Sequence, residues 1–434
     1  VTTQKYEPQS GAFRVAGSGK VRDDLASVLV VGLNYAPEPT GNAPYTTKLA
    51  EGLAGLGHKV EVLTGYPHYP QWQVAEGYSG LSSHQIINGV PVRRLRHTVP
   101  AVPRTLNRLV MELTFGLHTA LRRWPKRDIV LVVSPGLFAS AFAVAKARLK
   151  GIPVAIWIQD LYSRGLEETG GSATATKAVK WIESKILRSC SGITVIHGRF
   201  RDYVVDELEV SRENVDVIRN WTHIQHDSVF DREAVRSRLG WSSEETIALH
   251  AGNMGVKQGL ENVVEAARLA DAFDSRVRFV LLGDGNRREA LHVAGEGIRS
   301  LSFVKPLSDR EYSEALRAAD VLIVNERPEL REMSVPSKLT SYFATGLPIV
   351  ASTHPESATA DEIRASDAGI LVDPQRPSAL LRGVERLRDN PAEAEALGSR
   401  GPIYAERVLS ESAAIGAYSS WLASLSTGVP RALN

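Results

Sequence analysis

Short apolar runs rich in Val and Ile recur along the chain. Each is followed by a longer stretch whose apolar residues fall at helical spacing. The first runs are Ser27–Leu33, Lys59–Thr64, Pro91–Leu95, Ile129–Val133, Pro153–Ile158, Gly192–Ile196 and Val215–Ile218. Continuous runs of this kind read as strands covered on both faces, the habit of parallel sheets. Between the first two, Leu49, Leu53 and Leu56 mark one helix face, and Gly57 supplies a stop. Asn88-Gly89 is a hairpin-turn signal between shorter pieces. The pattern then begins again with Thr246–His250, Val277–Leu282, Leu301–Val304, Val321–Val324, Pro348–Ser352 and Gly369–Val372. Helical stretches near 259–270, 309–318, 337–345 and 377–389 separate these runs. The expectation is an α/β protein of two doubly wound, Rossmann-like halves facing across a cleft. The halves span 26–220 and 221–405, with the seam near Asn220–Asp227. A polar tail, 1–25, precedes them; a final helix, 406–426, follows, with a return to the first half as the expectation.

Composition narrows the class without naming a reaction. A length of 434 residues suits two or three domains. Hydrophobic residues at 43% and charged residues at 23% are ordinary globular usage. The single cysteine, Cys190, can form no intramolecular disulfide and no CxxC zinc site. A formal charge of +2 gives no reason to expect nucleic acid as the partner. Residues 1–25 lack the apolar core of a signal peptide. The most apolar segment, 129–147, is broken by Ser134-Pro135-Gly136. A cytoplasmic protein is therefore expected.

Charge is unevenly spread. Residues 93–127 hold nine Lys or Arg (Arg93, Arg94, Arg96, Arg104, Arg108, Arg122, Arg123, Lys126 and Arg127) against one acid, Glu112. Leucines and other apolar residues are interleaved with them. A basic amphipathic segment suits an anionic membrane surface; a solvated helix with a core face is the plainer reading.

Three stretches carry candidate chemistry, and all follow strands at the ends that should face the cleft. In the loop 36–42, Gly41 lets a ligand approach the backbone, Asn42 follows it, and Pro44 opens a helix whose free N–H groups suit an anion. In 250–259, Gly252, Asn253 and Gly255 keep a turn open, and Lys257 can reach a phosphate as a point charge. Gly283 begins a second, weaker turn. In 326–352, Pro336, Ser337, Lys338 and Leu339 form a helix start. A lysine there opposes the helix dipole unless an anion sits beside it. Glu329 and Glu332 lie just upstream, where carboxylates suit sugar hydroxyls.

These residues resemble the GT-B glycosyltransferases of family 4, and more closely the bacterial exopolysaccharide and O-antigen transferases of the WcaI and WbuB type. The likeness rests on NYAPEPTG (34–41), YPHYPQWQV (66–74), AGNMGVKQGLENVVEAA (251–267) and VPSKLTSYFATGLPIVAS (335–352), and runs over about 27–420. It implies an N-terminal acceptor domain and a C-terminal nucleotide-sugar domain. The implied reaction is a retaining transfer, with no metal and no cofactor beyond the nucleotide-diphosphate sugar itself, a UDP-sugar being favoured. The acceptor implied is a glycan or glycolipid intermediate of surface polysaccharide, with a small soluble acceptor as the alternative. A peripheral position at the inner face of the plasma membrane goes with that reading. Lys257 and the start at Ser337-Lys338-Leu339 would stabilise the leaving diphosphate, and the backbone from Val304 to Leu307 would meet the base. Asp160, in WIQDLY, becomes the candidate base or orienting group. The family's two glutamates, eight positions apart, fall here on Met333 and Ser341; Ser341 is left to meet a ribose hydroxyl, and Glu332 to take the donor-sugar role. The common arginine is replaced at Asn253. The missing carboxylate pair keeps open a non-catalytic nucleotide-sugar-binding scaffold. A nucleotide-sugar epimerase or hydrolase is a further alternative, with His197 its one candidate and a packed loop histidine the plainer reading.

Overall fold

A computed structural model describes residues 25–427, apart from 40, 103–104, 169–171, 222–229 and 330–337. The first sheet holds β1 (Ser27–Val31), β2 (Lys59–Gly65), β3 (Ser82–Ile87), β4 (Val90–Leu95), β5 (Ile129–Val133), β6 (Val154–Ile158), β7 (Gly192–Val195) and β8 (Val215–Val217). Its order is β3-β4-β2-β1-β5-β6-β7-β8. Every pairing is parallel except β3 with β4. Asn88 and Gly89 turn that antiparallel pair, both with positive φ. The short apolar pieces around Asn88-Gly89 thus form the edge of the sheet. Alternating half-exposure along β3 is what hid it from a search for continuous runs.

The second sheet holds β9 (Thr246–Ala251), β10 (Val277–Leu282), β11 (Leu301–Val304), β12 (Val321–Asn325), β13 (Ile349–Ser352) and β14 (Gly369–Val372), in the order β11-β10-β9-β12-β13-β14 and parallel throughout. Hydrophobic clusters cover both of its faces. In each sheet the order reverses beside the first strand. The switch points lie between β1 and β5 and between β9 and β12, and ligands of open α/β sheets bind in such crevices.

The last helix, Glu411–Thr427, packs on the first half. Ile415, Tyr418, Trp421 and Leu422 join its core, and Tyr418 lies 5.1 Å from Trp157. Gly52 on the helix Ala43–Gly55 permits the approach, since a Cβ there would stand 2.3 Å from Ile415 Cδ1. The halves also meet through ion pairs. Arg199 bonds Asp361 at 2.6 Å. Arg219, at the exit of β8, pairs with the buried Glu362, which also accepts from the Tyr404 hydroxyl at 2.7 Å.

Candidate active site

Each switch-point crevice is stitched by an asparagine. In the first half, Asn42 Nδ2 donates to Ser134 O at 2.8 Å, joining the loop after β1 to the loop after β5. In the second, Asn325 Nδ2 donates to Gln258 O at 2.8 Å and Gly259 O at 2.9 Å, while its own oxygen accepts from Asn262 at 2.8 Å. The turn that carries Lys257 is thereby fixed to the end of β12. Lys257 itself is exposed in a single 3-10 turn, Val256–Gln258.

Two glycine turns interlock beneath it. Gly283 has φ +131, and a Cβ there would stand 2.1 Å from Gly252 O. The Met254 N–H donates to Asp284 O at 2.8 Å, and the Gly283 N–H to Val304 O at 3.0 Å. Gly252 and Gly283 thus make close backbone packing, and the carbonyl of Val304 is engaged inside the sheet.

Lys338 opens the helix Lys338–Phe343 and returns to the first turn: its Nζ lies 3.0 Å from His250 Nε2, and its chain lies against Gly252. Burial pushes its ammonium down to about 7, with Glu326 opposing. Burial also holds fully buried His250 well below its ordinary value, with Lys338 the next cause. The Glu326 carboxyl is raised by desolvation; it accepts from Thr353 Oγ1 at 2.6 Å. His250, Asn325 and Glu326 were not singled out from the sequence. Each is a polar residue in or just beyond an apolar strand, and its partner is set only by residues distant in the chain.

On the facing wall, Asp160 follows β6. The residue is exposed; partial desolvation raises its carboxyl, and Lys257 is the largest opposing influence. The fold thus brings Asp160 and Lys257 within electrostatic reach of one another. Tyr162, two residues beyond Asp160, donates its hydroxyl to buried Glu112, which also accepts from the Phe138 N–H at 3.1 Å; burial raises that carboxyl. Glu38, of the first loop, accepts from the N–H groups of His68 at 2.8 Å and Tyr69 at 3.0 Å, and from Asn34 at 2.8 Å. Gly41, at φ +68, lies against Tyr69. The segments 34–41 and 66–74 are therefore one wall, clamped by a buried carboxylate.

The remaining expected residues divide. Asn42 gives its amide to Ser134 rather than to open space. Gly255 and Asn253 pack together in the turn, with Asn253 exposed. Ser341 is 2% exposed and Leu339 is fully buried, so little of either side chain is open to a ribose. Glu332, Pro336 and Ser337 lie outside the described residues. His197 is a helix cap, its ring accepting from the Phe200 N–H at 3.3 Å.

Two family models match the chain: the glycosyl transferase 4-like domain over residues 40–221 and glycosyl transferases group 1 over 245–390. The chain is 32% identical over 377 residues to the "putative colanic acid biosynthesis glycosyl transferase WcaI" of Escherichia coli K12, covering 83% of this chain and 91% of that protein. This chain is a family 4 glycosyltransferase of the WcaI type.

Solved structures of this transferase's fold agree with the two-sheet architecture. Sucrose-phosphate synthase from Thermosynechococcus elongatus superposes at a TM-score of 0.69 with 17% identity, over 93% of this chain and 100% of that one. HepE of Anabaena in complex with UDP superposes at 0.66 with 13% identity, over 92% and 100%. The fold is GT-B, and the cleft between the two sheets of this family 4 transferase is its candidate active site.

Proposed function

We propose that this glycosyltransferase moves a sugar from a nucleotide-diphosphate donor, a UDP-sugar, to a hydroxyl of a glycan or glycolipid intermediate in surface polysaccharide synthesis. The observation that carries the reading is the placement of Lys257 and Lys338 around one glycine turn at the second switch point, with Lys257 within electrostatic reach of Asp160. UDP in the HepE complex and the colanic acid role in the name of the E. coli relative support the finer assignment.

In this reading the donor diphosphate lies along the turn 252–257. Lys257 meets it as an exposed point charge, and Lys338 reaches it from beside His250. As the bond from the anomeric carbon to the phosphate oxygen breaks, negative charge grows on the leaving diphosphate, and preplaced cations stabilise that charge. The acceptor hydroxyl approaches from the first half, beside Asp160. Its oxygen bonds the anomeric carbon, and its proton passes to the departing phosphate oxygen, on the same face of the sugar, so configuration is retained. Asp160 orients the hydroxyl. No metal takes part. The work is done in the cytoplasm, at the inner face of the plasma membrane where the acceptor is lipid-borne.

Thermal-shift screening with UDP, GDP, dTDP and ADP tests the donor, because a ligand of the folded state raises the melting temperature. A shift selective for UDP is expected; selectivity for another nucleotide overturns the UDP assignment. Anomeric analysis of the product by NMR tests retention.

A further inference from the structure

The residues that leave β12 are pinned along the turn that carries Lys257. Asn325 gives its amide to Gln258 O and Gly259 O, and the Arg327 N–H donates to Lys257 O at 3.0 Å. Between them the Glu326 N–H is tied to Ser352 O of β13 at 2.9 Å. Arg327 then lays its stem over Gly259. That glycine has φ +54, and a Cβ on it would stand 3.0 Å from Arg327 Cγ. The bare turn is thus the seat of the arginine side chain. Arg327 is exposed there, at the carboxyl end of its strand beside the switch point between β9 and β12.

The charge of Arg327 is not claimed by the fold. Nearby carboxylates are engaged elsewhere: Glu261 pairs with Arg287 at 2.6 Å, and Glu326 accepts from Thr353 Oγ1 at 2.6 Å. Among the described residues Arg327 has no ion-pair partner, Glu329 two residues on included. Other arginines of this half are held in pairs, such as Arg278 with Glu245 at 2.5 Å and Arg364 with Asp361 at 3.2 Å. Lys257 is likewise exposed and without an ion pair among the described residues. Like charges on two residues bonded through their backbones repel. The carbonyls of Lys257, Gln258 and Gly259 hold them together all the same. An anion between the two side chains would turn that repulsion into attraction.

We propose that Arg327 determines the specificity of the donor site, its guanidinium taking the second phosphate of a nucleoside diphosphate. The inference rests on the reading that the diphosphate lies along the turn 252–257, and it names the residue that tells a diphosphate from a monophosphate. A guanidinium offers a planar fork that matches two oxygens of one phosphate, whereas the Lys257 ammonium is a point charge. One cation of each kind on a single turn holds two phosphates in register. A monophosphate satisfies one of them and leaves the other in water.

The test is calorimetric titration of the full chain with UDP, GDP, dTDP and ADP, each beside its monophosphate. The parent should prefer a diphosphate by about tenfold or more, the scale of a charge-assisted bidentate contact. Arg327→Gln should remove most of that preference, weakening the diphosphate about tenfold and the monophosphate by less than about threefold. The melting temperature of the free protein should stay as in the parent, the side chain being exposed and unpaired. Should it fall, Arg327→Lys carries the test: it keeps a stem over Gly259 and a charge, and should still weaken the diphosphate severalfold. Arg268→Gln removes an equal charge from the helix Glu261–Ala272 and should leave both affinities unchanged, which separates a contact from a general field. Equal diphosphate affinity in Arg327→Gln and Arg327→Lys, or an equal loss for monophosphate and diphosphate, overturns the proposal. A parent that binds none of these nucleotides fails the transfer reading and this one with it. A parent whose diphosphate affinity ignores Arg327 fails this one alone.

Discussion

The two switch-point crevices are built to one plan and lined with different chemistry. Each lies beside the first strand of its sheet, and each is closed by an asparagine that reaches across it, Asn42 in one and Asn325 in the other. Around the first stand carboxylates: Glu38, Glu112 and Asp160. Around the second stand Lys257 and Lys338, with buried His250 and the Glu326 carboxyl behind Lys338. Glu38 and Glu112 are costly to bury, and the fold satisfies them with backbone N–H groups and hydroxyls. The second crevice achieves its opening with glycine turns and adds few charges, each directed at one place. In the proposed reaction, the anion goes to the second crevice and the hydroxyl approaches from the first.

That contrast can be broken from either side. Lys257→Ala removes the exposed cation of the second crevice, and transfer should fall at least about a hundredfold, the scale of losing one charge-stabilising donor. Near-normal steady-state rates would end its assigned role. Gly283→Ala forces a methyl to within 2.1 Å of Gly252 O. The interlocked turns must part, so nucleotide affinity should drop by some tens of fold and the melting temperature with it. Calorimetric titration showing unchanged nucleotide affinity would mean the turns do not shape the donor site. Glu38→Ala acts on the other wall. It strands the N–H groups of His68 and Tyr69 at a cost of roughly 1–3 kcal/mol each. The acceptor KM should rise about tenfold while the nucleotide-induced thermal shift stays as in the parent, and loss of that shift would dissolve the division between the walls.

The smallest effect is one of pH. Burial holds Lys338 at about 7 in the free protein, and a bound diphosphate should return it toward the ordinary lysine range. The complex then holds more protons than the free protein above that value. Nucleotide-sugar affinity should therefore fall as pH rises through about 7, by at most about tenfold per unit. The sugar conjugate is the right probe, because its diphosphate does not titrate there. Lys338→Met should flatten the profile, and a flat profile in the parent would remove Lys338 from the donor site.

Much of the fold was legible because parallel strands announce themselves. SVLVV and IVLVV, continuous and β-branched, can be buried only between helix layers, and every such run became a strand. The edge strand Ser82–Ile87 was harder, its alternating exposure offering no such run. At the site, the glycine-flanked turn marks Lys257 as a candidate from the residues alone, and Asp160 becomes one only through the family resemblance. His250 was not legible, because one buried histidine in TIALHA carries no sign of what it faces. That was decided by the lysine returning from a helix 88 residues later.

The basic stretch shows the same division most sharply. Its composition alone set an excess of positive charge beside regularly spaced leucines. Which arginines remain free is a matter of packing: Glu61, far away in sequence, takes two of them, and the sheet swallows Arg94. Local pattern determined the strands, the glycine turns and the two-sheet class, because burial and backbone freedom act over a few residues. Only the tertiary structure decided which charges are paired, which leucines meet water, and that Asp160 comes within electrostatic reach of Lys257, because those depend on contacts between residues far apart in the chain.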